Sequence, residues 1–103
     1  MPDLARALDL LAAMDATLVA VGRGRDEASV AAANAFLGAW GGQVAVVVDW
    51  PASAASWLRP ARRLLAAEPD AWVIADTAAG WEPVARRLRE SPGWDPMRTV
   101  FLR

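Results

Sequence analysis

The chain has 103 residues, fewer than the roughly 150 of a typical domain, which predicts one domain over residues 1–103 and excludes a complete two-lobed enzyme or receptor. Its 11 Arg and 12 acidic residues give a net charge of −1, so any electrostatic function must be local. The sequence contains no His, Cys, Tyr or Lys, which excludes conventional zinc sites, thiolate or imidazole catalysis, disulfides and Schiff bases. We therefore expect no cofactor.

The sequence predicts no targeting signal. The N-terminus, Met1-Pro2-Asp3-Leu4, carries an acid where a secretory signal requires cations, and no apolar run approaches the ~20 residues of a membrane span. We expect no membrane span and a cytoplasmic location for the chain as given. An extracytoplasmic location is expected if the chain is a fragment of a longer secreted protein.

The first half of the chain alternates between helical and strand patterns. Apolar residues at helical spacing predict a helix over about 3–14, and Thr17–Val21 predicts a buried strand that ends at Gly22-Arg23-Gly24. A second helix is predicted from about Asp26 to Trp40, followed by a buried strand over Gln43–Asp49. The inner side of that helix is expected to carry Ala28, Ala32, Ala35, Phe36 and Ala39.

The second half repeats this alternation. Ser56 is the predicted N-cap of a helix that extends to about residue 67 and has Pro60 in its first turn. A strand over Ala71–Ala75 and a helix over Gly80–Glu90 follow, and Arg98–Leu102 is the last predicted strand. The inner face of the Gly80–Glu90 helix is expected to carry Trp81, Val84, Ala85 and Leu88.

This order of elements predicts an α/β three-layer sandwich. The connections are long enough only for helical crossovers, so the four strands should form a parallel, flavodoxin-like sheet of order 2-1-3-4 with helices on both faces. The last two helices should lie side by side on one face and the first two on the other. Ligands of such sheets bind at the carboxyl ends of the strands where the order reverses, which indicates Gly22–Asp26 and Asp76–Gly80.

The predicted ligand-binding residues lie at these strand ends: Gly22, Arg23, Gly24, Arg25, Trp50, Asp76 and Thr77. A Gly-x-Gly between a strand and a helix can present backbone N–H groups to a phosphate or carboxylate. Glu27 stands where a dinucleotide-binding motif has a third glycine, so that function is disfavoured. Asp76 could neutralise an ammonium group while Arg23 or Arg25 holds a carboxylate. The alternatives are a tight turn at the glycines and simple helix capping by Asp76 and Thr77.

Several aromatic and basic residues have more than one explanation. Trp72 and Trp81 fit the core, whereas Trp50, Trp57 and Trp94 fall in or beside predicted loops and could pack over the sheet, form an interface or contact a ligand. The arginine groups lie on the last two helices, at positions 62, 63, 86, 87 and 89. They predict a solvated basic face, and without net positive charge we do not expect nucleic-acid binding.

The run from Thr17 to Arg103 resembles the C-terminal lobe of type 1 periplasmic binding proteins, in particular the substrate-binding components of branched-chain amino acid ABC transporters. The segments that carry the resemblance are Ala39-Trp40-Gly41-Gly42-Gln43-Val44, the helix from Ser56-Trp57 to Ala66-Ala67, and Glu68-Pro69-Asp70-Ala71-Trp72-Val73. Ser56 departs from the aspartate that the family usually has before the aromatic residue, and the first lobe is missing. The resemblance implies binding of an amino-acid-like small molecule, with half of the usual site present.

A single lobe would expose the surface that faced its partner lobe. We therefore expect self-association, most simply as a dimer, or docking of a partner lobe. The apolar second strand, at a predicted sheet edge, offers a further contact through edge pairing. The favoured hypothesis is a non-enzymatic small-molecule-binding or protein-interaction module. The alternative is a small flavodoxin-like enzyme or enzyme subunit that binds an anionic ligand or nucleotide at the strand ends.

Overall fold

A computed structural model of the chain describes residues 2–103. The helices are α1 (Pro2–Ala13), α2 (Glu27–Ala39), α3 (Leu58–Ala66) and α4 (Ala78–Arg89). The strands are β1 (Leu18–Gly24), β2 (Gln43–Trp50), β3 (Ala71–Ala75) and β4 (Thr99–Phe101), and a 3₁₀ turn over Pro96–Arg98 precedes β4. Helices and strands therefore alternate along the chain as the sequence predicts.

The four strands form one parallel sheet in the order β2-β1-β3-β4. Helices α1 and α2 pack on one face of the sheet, while α3 and α4 contact each other on the opposite face. The predicted three-layer, flavodoxin-like α/β fold is confirmed. It follows from right-handed crossovers, in which α2, α3 and α4 each connect two successive parallel strands across a face of the sheet.

The core has two halves, one on each face of the sheet. Beneath α1 and α2, the largest fully buried side chains include Leu11, Phe36, Val19, Val21 and Val73. Beneath α3 and α4, they include Trp50, Leu64, Ile74, Val84 and Leu88. All five residues of β3 are buried, because a central strand of a parallel sheet is covered on both faces.

Several predicted boundaries change in the structure, among them the end of β2 at Trp50 and the limits of β4. Strand β1 continues through Gly22 to Gly24, so these residues are ladder residues and not a loop. Helix α3 begins at Leu58, because the hydroxyl of Ser56 accepts a bond from the Leu58 amide instead of capping a longer helix. Helix α4 begins at Ala78, two residues early, because Thr77 is its N-cap and accepts a hydrogen bond from the amide of Gly80.

The buried side of α2 also differs from the prediction. Its buried residues are Ser29, Ala32, Ala33 and Phe36, whereas Ala28, Ala35 and Ala39 are exposed. Alanine occurs on nearly every side of this helix, so the apolar pattern does not define one face. The phenyl ring of Phe36 packs against the sheet, and this contact determines which face of α2 is buried.

Asp70 and Arg98 form hydrogen bonds at the amino ends of the strands, on the opposite edge of the sheet from the predicted ligand site. Oδ2 of Asp70 accepts bonds from the amides of Thr17 and Leu18 and from the Thr17 hydroxyl, at 2.8–3.0 Å. The pKa of Asp70 is lowered by the Leu18 amide first and then by Thr17. The guanidinium of Arg98 donates to the carbonyls of Asp70 and Met14. Asp70 therefore connects the start of β3 to the start of β1, and Arg98 connects the start of β3 to Met14 just after α1.

Strand β2 forms one edge of the sheet and, within residues 2–103, pairs only with β1. Val44 and Val47 on this strand remain 39% and 38% exposed. The register with β1 shifts at Ala45, which forms a bulge near the start of the strand. No helix in the described part of the chain has the length and apolar content needed to cross a membrane.

Candidate functional site

The seven predicted ligand-binding residues lie together at the carboxyl edge of the sheet. Arg23 in β1 is the register partner of Asp49 in β2 and of Ala75 in β3, so the ends of these three strands are level. Asp76 and Thr77 follow β3 directly, and Arg25 follows β1. The order of the sheet reverses between β1 and β3, which is where open α/β sheets bind their ligands. A ligand-binding role for these residues stays a prediction.

The two glycines of β1 face side chains of the protein itself. A Cβ on Gly22 would lie 2.7 Å from two ring carbons of Trp50, and a Cβ on Gly24 would lie 2.8 Å from Oδ1 of Asp76. Both residues are buried. The glycines therefore make room for an indole ring and a carboxylate, and presentation of their amides to a phosphate or carboxylate stays a prediction.

Asp76 is held between β1 and α4. Its Oδ2 accepts a 2.8 Å hydrogen bond from Nε1 of Trp50, and its Oδ1 accepts a 2.7 Å bond from the amide of Thr77. A Cβ on Gly80 would lie 2.4–2.6 Å from this carboxyl group, so Gly80 also leaves space for it. The carboxylate remains partly exposed and retains unused acceptor positions.

Trp50 is the last residue of β2 and not a loop residue. It is 1% exposed and packs against α3 and α4, and its ring centroid lies 6.0 Å from that of Trp81. Trp57 and Trp94 are half-buried and pack against the same side of the core. Trp94 also donates to the hydroxyl of Thr99. Packing within the protein therefore buries Trp50 and covers part of Trp57 and Trp94, the three tryptophans for which the sequence allows several explanations.

The charged groups at this edge form two ion-paired sets. Nε of Arg25 lies 2.8 Å from Oδ1 of Asp49, and the guanidinium of Arg23 lies 4.0 Å from the same carboxylate. Asp26 caps α2 through the Ser29 amide and binds Nη1 of Arg103 at 2.8 Å. Hydrogen bonding by Ser29, aided by the charge of Arg103, lowers the pKa of Asp26.

An open cleft of about 440 Å³ lies between these groups. It is lined by Gly24, Arg25, Asp26, Ala52, Asp76, Thr77, Ala79 and Gly80. Ligand pockets in proteins commonly have volumes of roughly 300–1,000 Å³, so a small organic molecule would fit. Its lining includes the guanidinium of Arg25 and the carboxylates of Asp26 and Asp76, which suits a ligand that carries both charges.

Some contacts at this edge are not detectable in the sequence. Arg103 reaches Asp26 and Ser29 from the end of the chain, 77 positions away from Asp26. No local pattern relates these residues, because only the position of β4 in the sheet brings them together. The sequence also does not indicate that Ala52 would line the cleft.

The predicted basic face on α3 and α4 is partly neutralised. Arg89 forms two hydrogen bonds with Glu82, and Arg87 pairs with Glu90. The ion pair lowers the pKa of Glu82 and raises that of Arg89. These pairs interrupt the positive surface, which matches the interpretation as a solvated helix face.

Comparison of the chain with protein-family models, with curated proteins and with solved structures finds no match. The geometry of the carboxyl edge therefore carries the functional argument.

Proposed function

We propose that the chain binds a small zwitterionic, amino-acid-like molecule in the cleft at the carboxyl edge of the sheet. The observation that carries this proposal is that Arg25 and Asp76 line the same cleft at the point where the strand order reverses. Arg25 would receive the carboxylate of the ligand. Asp76 would receive its ammonium group through the unused acceptor positions of its carboxylate.

The other charges in the cleft favour a zwitterion over a simple anion. Asp26 occupies the N-terminus of α2, where an anionic ligand would otherwise be stabilised, and Glu27 follows in the first turn. Asp76 lies beside the N-terminus of α4. A phosphate placed against either helix would meet a carboxylate. These charges, together with the occupied space over Gly22 and Gly24, disfavour the alternative of a nucleotide-binding enzyme.

A thermal-shift screen with the twenty amino acids tests the proposal. A ligand at 100 times its Kd adds about 2.7 kcal/mol to the stability of a protein, which is easily measured for a domain of this size. The best amino acid should then bind at least tenfold more tightly than its amide or its N-acetyl derivative, since each derivative loses one charge-assisted contact. Absence of any shift at 10 mM, or equal affinity for the derivatives, would overturn the proposal.

Two variants, Ala52→Leu and Asp76→Asn, test whether the ligand binds in the cleft, and Ala55→Leu is the control. Ala52→Leu should weaken binding because it fills the cleft without changing a charge, whereas Ala55→Leu alters an exposed residue of the same loop outside the cleft lining. Asp76→Asn removes the negative charge and leaves one acceptor oxygen for the two donors Trp50 and Thr77, so it should also reduce affinity. Unchanged affinity in both Ala52→Leu and Asp76→Asn would place the ligand elsewhere.

Self-association through β2 is a second candidate function. It is supported by an eight-residue edge strand that includes the exposed residues Val44 and Val47 and contains neither Pro nor Lys. The partner would be a second copy of the chain, paired along β2 beyond the bulge at Ala45. The protein-interaction role expected from the sequence would then be served by the sheet edge.

Analytical ultracentrifugation at protein concentrations from 5 to 200 µM distinguishes a monomer from a dimer. A concentration-dependent dimer that Val47→Lys converts to a monomer would support edge pairing. A strict monomer across this range, or a dimer that Val47→Lys leaves intact, would contradict it.

A further inference from the structure

A second cavity, distinct from the cleft, lies between the end of β2 and the start of α3. Its volume is about 350 Å³. It is lined by Arg25, Val48, Asp49, Trp50, Pro51, Ala54, Ser56, Trp57, Arg59, Pro60 and Arg63. Arg25 is the one lining residue that it shares with the cleft, so ligands at the two places can be tested independently.

The cavity has an excess of positive charge. It is lined by three guanidinium groups and one carboxylate, and Asp49 already pairs with Arg25. Within residues 2–103, neither Arg59 nor Arg63 has a carboxylate oxygen within the 4.0 Å of a salt bridge. Two cationic groups in the cavity wall are therefore uncompensated.

The position of these arginines on α3 is electrostatically unfavourable. Arg59 and Arg63 are four residues apart, so their charges lie on one face of the helix and repel each other. Arg59 also lies in the first turn, which has no acidic residue, and a cation there opposes the helix dipole. A bound anion would relieve both effects.

The remainder of the wall is apolar and partly aromatic. Trp57 is half-buried and packs against the core beneath α3 and α4, which restrains its indole ring. Pro51 and Pro60 are also half-buried, and the buried residues Val48 and Trp50 contribute to the lining. A planar apolar group could stack or pack here while an attached anion contacts the arginines.

We propose that this cavity binds a phosphate monoester that carries an aromatic group. A phosphate monoester has a charge of about −1.5 to −2 near pH 7, which matches the two uncompensated guanidinium groups. Arginine binds phosphate oxygens through paired N–H donors, and Ser56 adds a hydroxyl at the same wall. The volume exceeds that of a phosphate ion, which leaves space for an aromatic group in a cavity that Trp57 helps to line.

Isothermal titration with phenyl phosphate, inorganic phosphate and phenol tests the proposed ligand class. Phenyl phosphate should bind saturably and at least tenfold more tightly than either fragment, and its affinity should fall as NaCl is raised. No saturable binding up to 10 mM would overturn the proposal. Equal affinity for inorganic phosphate would overturn the aromatic part of it.

Charge-removing variants assign the site. Arg59→Gln and Arg63→Gln should each weaken phenyl phosphate binding at least fivefold, whereas Arg6→Gln, on α1 across the sheet, should not. Arg59→Gln should not lower the melting temperature of the free protein, because it removes a cation from the first turn of α3. Trp57→Leu should reduce affinity for phenyl phosphate more than for inorganic phosphate. Full affinity in both arginine variants would overturn the proposal.

Discussion

The indole of Trp50 donates a 2.8 Å hydrogen bond to Asp76 across the carboxyl end of β1. Trp50 ends β2 and Asp76 follows β3, so the bond links the two strands that flank β1. Gly22 and Gly24 lie directly against this pair and have no side chain to displace it. The Gly-Arg-Gly sequence is thus explained by packing within the protein.

Substitution of Gly22 tests this packing. In Gly22→Ala the new Cβ would lie 2.7 Å from the Trp50 ring, which is fully buried and cannot move freely. Overpacking of this kind should lower the free energy of unfolding by about 1–3 kcal/mol, measured by urea denaturation.

Gly38→Ala provides the matched control. Among residues 2–103, no atom lies within 4 Å of a Cβ at Gly38, which is exposed on α2. This substitution should raise stability by roughly 0.5–1 kcal/mol, because alanine is the better helix former. Equal effects at both positions would contradict the proposed close contact between Gly22 and Trp50.

The hydrogen bond itself can be removed by replacing the buried indole with the smaller phenyl ring. Trp50→Phe leaves Asp76 without its indole donor, and loss of a bond to a charged group should cost about 1.5–3 kcal/mol in addition to the lost ring contacts. Trp40→Phe is the control, since its indole donates to the Gln43 carbonyl at an exposed position. A cost no larger than that of Trp40→Phe would show that the Trp50 bond contributes little.

The start of α4 depends on the side chain of Thr77. Thr77→Ala removes the acceptor for the amide of Gly80 and should lower the free energy of unfolding by about 1 kcal/mol. Thr77→Ser retains the hydroxyl and should keep most of the stability. Circular dichroism during thermal unfolding measures both variants, and identical losses would exclude capping as the cause.

Stability should fall in acid because three carboxylates have lowered pKa values in the folded state. For Asp26, Asp70 and Glu82 the unfolded chain binds protons at a higher pH than the folded chain does. Their stabilising contribution is therefore complete above the ordinary carboxyl values of about 3.9–4.3. It is lost as the pH falls through those values toward the folded pKa.

Asp70→Asn isolates one part of this acid dependence. The variant should be less stable than the parent at pH 7, and its urea midpoint should change less between pH 5 and pH 2.5. Asp9→Asn, at an exposed position on α1, should leave both the midpoint and its pH dependence unchanged. An Asp70→Asn variant with the full acid dependence of the parent would assign the effect to other groups.

The sequence by itself determined the order of elements and the topology of the sheet. Helical and strand patterns alternate along the chain, and right-handed crossovers restrict how four parallel strands can be arranged. Strand β3 and the inner face of α4 were predicted residue for residue, because both have strong apolar patterns bounded by polar residues. The edge of the sheet where a ligand site is expected follows from the same topology.

Only the tertiary structure decided what the residues at that edge contact. Gly22 and Trp50 are far apart in the chain, so no local pattern shows that the glycine accommodates the indole. The buried face of α2 was undetermined because alanine surrounds the helix, and contact with the sheet selected it. The cavity that Arg59 and Arg63 line likewise requires α3 to pack beside the end of β2, which contributes Val48, Asp49 and Trp50. The spacing of apolar residues predicts which face of a helix or strand is buried, whereas packing between distant segments determines which side chains are in contact.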